Sequence, residues 1–297
     1  MHIKNVTVCG SGVLGGQIAY QTAFRGFNVV LYDLKHELLD KAKEKFNQLS
    51  ELYIQDLNAT QQDVKNAIDR ISYSVNLTEA VRDADLVIEA IPENIQIKKN
   101  FYTHLGEVAP AKTIFCTNSS TLLPGMFARD TGRPERFLAL HFANYIWKKN
   151  TAEIMGHADT SPEIFNTIIE FAKAIGMVPL ALHKEQPGYI LNSLLIPFLF
   201  AGMDLYYKGV ADPHTIDKTW MIASNSPIGP FASLDFIGFE TVYNIAMNAA
   251  NAGNKQAGEW GRFLKENFID KGKLGTSTGE GFYKYPNPDF EKPGFIK

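Results

Sequence analysis

The feature that most constrains this chain is an alternation. In its first half, short runs of β-branched and apolar residues trade places with stretches of helical periodicity, the trace of repeated strand-helix-strand units and hence of a parallel sheet covered on both faces. Candidate strands span 3–9, 28–33, 71–75, 85–90, 113–117 and 137–142, with a last short one at 177–182. Helical patterns begin at Gly12 and His36, cross 61–68 and 95–108, and resume at 162–175. From Gln186 the character changes. Pro187-Gly188 is followed by long helical patterns with no clear strand, so the boundary is placed there, giving domains 1–185 and 186–297. The second domain is expected to be all-helical, with helices from Tyr189, across 212–223, 240–252 and 259–269, and a Gly- and Pro-rich C-terminal segment that packs as a loop. A length of 297 residues suits two domains at roughly 150 residues each.

Within the first domain, Gly10-Ser11-Gly12-Val13-Leu14-Gly15 fits the pattern GxGxxG. The pattern alone is weak, but here it directly follows a strand and opens a helix. In that setting Gly10 makes the tight turn, Gly12 lets the backbone approach a pyrophosphate, and Gly15 lets helix and strand pack closely, with the helix N-terminus facing the phosphates. Asp33 ends the second strand 18 residues after Gly15, where an acid accepts hydrogen bonds from the adenosine ribose and repels a 2'-phosphate. The expectation is NAD rather than NADP, bound to an α/β domain with a Rossmann-type doubly wound parallel sheet.

Three polar patches stand at carboxyl ends of predicted strands: residues 89–94, 117–121 and 141–144. Ligands of open parallel sheets bind at that edge, so the three patches point to one cleft. Glu153 follows His141 by twelve residues. Each residue also has a plainer reading. His141 suits a structural role, Glu153 a solvated charge, Ser120 a turn cap, and Asn192 a polar group satisfying a backbone carbonyl.

Taken together, these residues resemble the L-3-hydroxyacyl-CoA dehydrogenase family along nearly the whole chain. The matching pieces are Gly10 to Gly15 with Asp33, the stretch 89–94 followed by Lys98, Asn118-Ser119-Ser120, His141-Phe142 with Glu153, and Pro187-Gly188-Tyr189-Ile190-Leu191-Asn192. In the second domain, 227–231 with Leu234-Asp235, and 273–275 through 279–283, look like further family signatures. The resemblance implies that His141 is the general base for a substrate 3-hydroxyl, Glu153 holds its other ring nitrogen, and Ser120 and Asn192 bond the 3-oxygen and a neighbouring carbonyl. It further implies that Gly10, Gly12, Val13, Leu14, Gly15 and Asp33 bind NAD, and that Glu93, Lys98 and Asn118 line its ribose and nicotinamide side. The implied reaction interconverts a 3-hydroxyacyl-CoA and a 3-oxoacyl-CoA.

Two departures bear on substrate. The stretch after His141 reads Phe142-Ala143-Asn144-Tyr145-Ile146-Trp147-Lys148-Lys149-Asn150, lacking the family's proline and adding an aromatic and two lysines. It is either a solvated loop with a surface Trp147 or a reshaped acyl pocket. From His36 to Ser72 five bases face seven acids, a poor match to coenzyme A phosphates. The same hydride transfer on a small 3-hydroxy acid without CoA, such as a carnitine or a sugar acid, is therefore the alternative, and a catalytically silent NAD-binding protein is a third reading.

Composition excludes several partners. Lys and Arg number 29 against 32 Asp and Glu, which argues against nucleic acid. The two cysteines, Cys9 and Cys116, form no CxxC or Cys/His cluster, so neither a disulfide framework nor a metal site is expected, and a cytoplasmic setting is. The N-terminus enters a strand without a signal-peptide pattern, and the most apolar stretch, 189–203, falls short of the ~20 residues that span a bilayer. The apolar helix from Tyr189 suggests a homodimer.

Overall fold

In the computed structural model, which describes residues 3–297, the alternating runs of the first half form one eight-stranded sheet. Its strands are β1 (Asn5–Cys9), β2 (Asn28–Tyr32), β3 (Ile71–Ser74), β4 (Leu86–Glu89), β5 (Ile114–Thr117), β6 (Phe137–Phe142), β7 (Thr151–Met155) and β8 (Val178–Leu182), in the order β3-β2-β1-β4-β5-β6-β7-β8. Helices α1 (Val13–Phe24), α2 (His36–Leu57), α3 (Gln61–Asp69), α4 (Leu77–Val81), α5 (Ile95–Val108) and α6 (Pro162–Ala174) connect them. The chain winds outward from β1 to β3, then returns to β4 on the other side of β1. That reversal opens a crevice at the carboxyl ends of β1 and β4.

Every residue of β4, β5 and β6 is buried, as suits strands covered on both faces. Alternate residues feed two different clusters. Val8, Leu31, Ile88 and Leu140 join one with Tyr20, Phe46 and Tyr53, while Cys9, Tyr32, Val87 and Phe137 join another with Tyr102 and Phe127. The two-residue period of the strand thus sends neighbours to opposite faces. Local chemistry sets the helix starts. Thr60 and Asp63 form a reciprocal capping box on α3, Asn94 caps α5 through Ile97 N, and Pro162 opens α6.

Two elements of this unit escape the sequence reading. α4 is five residues long, too short to show a helical period. β7 pairs antiparallel with β6, whereas every other pairing in the sheet is parallel. Because β8 pairs parallel with β7, the sheet ends in two strands, β7 and β8, that run opposite to the other six.

The chain divides between Ile190 and Leu191, five residues beyond the boundary drawn at 185/186. The shift has a cause: Tyr189 packs with Ala139, Met155 and Leu182, and Ile190 N–H donates to Glu153, so both belong to the first unit. The second unit comprises α7 (Leu191–Tyr207), α8 (Pro213–Ser224), α9 (Pro230–Ile237), α10 (Phe239–Asn251) and α11 (Lys255–Asn267) around Leu199, Met203, Phe231, Phe239 and Trp260. α7 starts at Leu191 rather than Tyr189, and it buries only Leu199, Gly202 and Met203. α9 lies where the sequence shows only a proline-flanked motif. Two buried carboxylates tie this unit together. Asp217 accepts from Phe231 N, Ala232 N and Tyr283 OH, and Asp235 from Phe282 N, Tyr283 N and Tyr285 OH. The C-terminal loop is packed by these bonds. Among the described residues no helix is long and apolar enough to cross a membrane.

Candidate active site

The site is built first on the turn after β1. Gly10 has φ +105°, a left-handed conformation, and a Cβ there would lie 2.4 Å from the carbonyl oxygen of Ala90. A Cβ on Gly15 would lie 2.0 Å from the carbonyl oxygen of Gly10. Both positions admit only glycine. Above Gly12, the N-cap of α1, a Cβ would meet nothing within 4 Å. α1 starts with no side-chain cap and no acid in its first turn, which leaves its positive end available to an anion. Val13 is exposed on that turn and Leu14 packs toward the core. Asp33, just past β2, folds over the same turn: its Oδ2 accepts from Ser11 N at 2.7 Å and from Ser11 Oγ at 2.6 Å. A glycine cradle, an open helix N-terminus and an adjacent acid fit a dinucleotide.

At the end of β4, Glu89 is fully buried and accepts from Ile91 N (2.9 Å), Lys98 Nζ (2.5 Å), Tyr102 OH (2.7 Å) and Thr117 Oγ1 (2.8 Å). Lys98, 1% exposed, thus spends its charge on Glu89 and, at 3.4 Å, on Glu93. Glu93 in turn accepts from Ser119 Oγ at 2.5 Å and Thr121 Oγ1 at 2.8 Å. Burial works to raise its carboxyl, but the Ser119 hydroxyl, the Lys98 charge and the Thr121 donors hold it below the usual range. Asn118 Oδ1 accepts from Phe142 N at 3.0 Å, stitching the end of β5 to that of β6. Glu93, Lys98 and Asn118 therefore bind together the loops at the carboxyl edge of the sheet.

His141, the penultimate residue of β6, faces Glu153 directly across the antiparallel ladder. Its Nδ1 lies 2.9 Å from Glu153 Oε2 and its Nε2 lies 3.2 Å from Ser120 Oγ. Both partners are buried, His141 at 5% and Glu153 at 2% exposure. Ile190 N–H donates to the second Glu153 oxygen, Oε1, at 2.9 Å. The three residues singled out in the first domain are thus brought into one line, Glu153 to His141 to Ser120. Asn192 stands in the first turn of α7, in the second unit.

Two contributors escape sequence reasoning. Glu89 stands in the patch 89–94, yet nothing local tells that four donors converge on it. Tyr189 stacks on His141 with ring centroids 4.5 Å apart and planes 17° apart, and its hydroxyl donates to Ser119 O at 2.8 Å. Burial, with the negative charges of Glu93 and Glu153, pushes that hydroxyl far up, so it serves as a neutral donor. An aromatic directly after Pro187-Gly188 was the one available signal.

The stretch after His141 is not the solvated loop that one of the two readings expected. Trp147 is 6% exposed, packs against Tyr53 of α2, and donates its indole N–H to Asp56. Lys148 pairs with the same carboxylate, while Tyr145 N and Ile146 N donate to Gln17 of α1. This is a moored connection rather than a solvated loop with a surface tryptophan. Asp56, one of the seven acids counted over 36–72, is also neutralised from within.

Comparison with known proteins now decides the family. Residues 5–186 match the model of the 3-hydroxyacyl-CoA dehydrogenase NAD binding domain, and 188–285 match that of the 3-hydroxyacyl-CoA dehydrogenase C-terminal domain. The chain belongs to the 3-hydroxyacyl-CoA dehydrogenase family. As a member it uses NAD. Human mitochondrial hydroxyacyl-coenzyme A dehydrogenase is 33% identical over 95% of this chain and 91% of its own length. The solved (S)-3-hydroxybutyryl-CoA dehydrogenase of Ralstonia eutropha is 27% identical with a TM-score of 0.82, covering 96% of this chain and all 100% of its own. A solved structure described as a diketoreductase acting on dicarbonyl compounds is more similar, 53% identical with a TM-score of 0.92 over 96% of this chain and 100% of its own.

Proposed function

We propose that the chain catalyses reversible hydride transfer at C3 of a 3-hydroxyacyl or 3-oxoacyl compound, with His141 carrying the proton. The observation that supports this best is the buried line from Glu153 through His141 to Ser120, at the sheet edge that also holds the glycine cradle. When bound, NAD supplies the hydride acceptor or donor. His141 takes the proton of the 3-hydroxyl at Nε2 during oxidation and returns it during reduction, a task imidazole performs near neutral pH. Glu153 holds the proton on Nδ1, which fixes the tautomer and steadies the ring when it is charged. Ser120, beside Nε2, holds the 3-oxygen. Asp33 holds the adenosine ribose, the turn from Gly10 to Gly15 with Val13 and Leu14 takes the pyrophosphate, and Glu93, Lys98 and Asn118 border the nicotinamide side.

The substrate of this reading is a 3-hydroxyacyl-CoA. A second reading, a dicarbonyl compound without CoA, is favoured by the higher identity to the diketoreductase, 53% against 33% for the human enzyme. NADH consumption with acetoacetyl-CoA, beside acetoacetate, dehydrocarnitine and 2,4-pentanedione and with NADPH as control, separates them. Oxidation with the thioester alone supports the first reading, and turnover of a substrate without CoA at equal or greater kcat/KM supports the second. No turnover with any of them overturns both and leaves an NAD-binding protein without catalysis.

The homodimer belongs to the same proposal. Leu191, Leu194 and Leu205 of α7 and Trp220 and Ile222 of α8 are exposed apolar side chains, Leu194 at 70%, which a second copy would cover. A monomer by light scattering at micromolar concentration would overturn it.

A further inference from the structure

The turn that ends the first unit touches Glu153, His141 and the residue before Ser120, and no part of the reading above asks it to. Gly188 and Tyr189 are both left-handed, with φ +78° and +55°, a conformation that a tyrosine adopts only when its surroundings hold it there. Those surroundings are the reactive group and its neighbours. The phenol ring lies parallel to the His141 imidazole at 4.5 Å. The hydroxyl donates to the carbonyl of Ser119, the residue that precedes Ser120. The next N–H along the chain, that of Ile190, holds the Glu153 oxygen that His141 does not use.

Two in-plane bonds fix an imidazole only while both last. A histidine's second side-chain torsion is broad, so a ring that exchanges its Nε2 partner during turnover is held in plane by Nδ1 alone unless something bears on its face. The Tyr189 ring bears on that face and contacts neither nitrogen's lone pair direction. We propose that Tyr189 is a positioning residue for proton transfer at His141, its ring keeping the imidazole in plane and its hydroxyl, through the Ser119 carbonyl, keeping Ser120 at its distance from Nε2. This rests on the reading of His141 as proton carrier.

The test compares full-length wild type with Tyr189→Phe and Tyr189→Leu, using acetoacetyl-CoA, or 2,4-pentanedione if that is the better substrate. The readouts are kcat, KM, NADH affinity by fluorescence, and the solvent deuterium isotope effect on kcat. Tyr189→Leu, which loses face and hydroxyl, should lower kcat about 30-fold or more, with KM and NADH affinity within about threefold and a larger isotope effect, because small misplacements of a reacting group are costly. Tyr189→Phe keeps the face and should recover most of that loss, remaining about threefold below wild type. A folded Tyr189→Leu with kcat within about twofold of wild type, with its loss in KM alone, or with an unchanged isotope effect overturns the inference. If Tyr189→Leu does not fold, Tyr189→Phe decides, and wild-type kcat with an unchanged isotope effect overturns it. A fully active His141→Gln would instead bring down the reading beneath it, whatever the Tyr189 variants do.

Discussion

Trp147 donates its indole N–H to Asp56 at 2.8 Å, across 91 residues of sequence, and this bond moors the link between β6 and β7 on α2. The ring is buried against Tyr53, and Lys148 adds its ammonium to the other Asp56 oxygen at 2.8 Å. Trp147→Ala should therefore cost about 3–5 kcal/mol of stability, as large-to-small changes of buried aromatics do. A denaturant titration would show it as a lower midpoint with an unchanged slope. A loss below about 1 kcal/mol would mean that the mooring is dispensable.

His141→Gln should lower kcat by about 10²–10⁴, the usual worth of a positioned acid-base group, and leave NADH binding within about twofold. Steady-state rates paired with NADH fluorescence titration check both halves. Retained turnover would remove His141 from the chemistry.

Asp33→Ala removes the acid that folds over the Ser11 turn. The ratio of kcat/KM for NADPH over NADH should rise by about tenfold, equivalent to ~1.4 kcal/mol of lost discrimination. An unchanged ratio would mean that Asp33 serves only the turn.

Asp235 gives the second unit a pH dependence of its own. Burial pushes its carboxyl up to about 6 from 3.8, prevailing over the donors Phe282 N, Tyr283 N and Tyr285 OH, with the Asp217 charge helping. Between those two values the folded chain binds more proton than the unfolded one, so stability is fully present below pH 3.8 and declines as pH rises through about 6, by on the order of 3 kcal/mol. Carboxylates held low, such as Asp56 by Lys148 and Trp147, run the opposite way, so the wild-type curve alone mixes the two. Calorimetry at pH 5 and pH 7 should show that Asp235→Asn removes the decline attributable to Asp235. The same difference in both proteins would assign it elsewhere.

Legibility in the sequence followed the range of the interactions. β1, β2 and β4 through β6 show as mostly apolar runs because most of their positions are buried, whereas in β3 only Ile71 is. β7 does not, because Glu153 stands at its centre and a buried acid makes sense only opposite His141. α4 and α9 are too short to display a period. In the candidate site, the glycine turn and Asp33 show in the strand-turn-helix pattern, and Ser120, His141 and Glu153 stand out through the family resemblance. Glu89 and Tyr189 are not, since each owes its place to partners far along the chain, such as Thr117 for the first and Ser119 for the second. Trp147 and Lys148 sit in a locally polar stretch that imitates a solvated loop, and only the fold supplies Asp56.

The antiparallel pairing of β6 and β7 has one more consequence. Because His141 and Glu153 are paired by the backbone ladder of β6 and β7, the connecting segment has no part in setting their spacing. Changes over 143–150 spend folding energy and leave the alignment of acid and imidazole as it was.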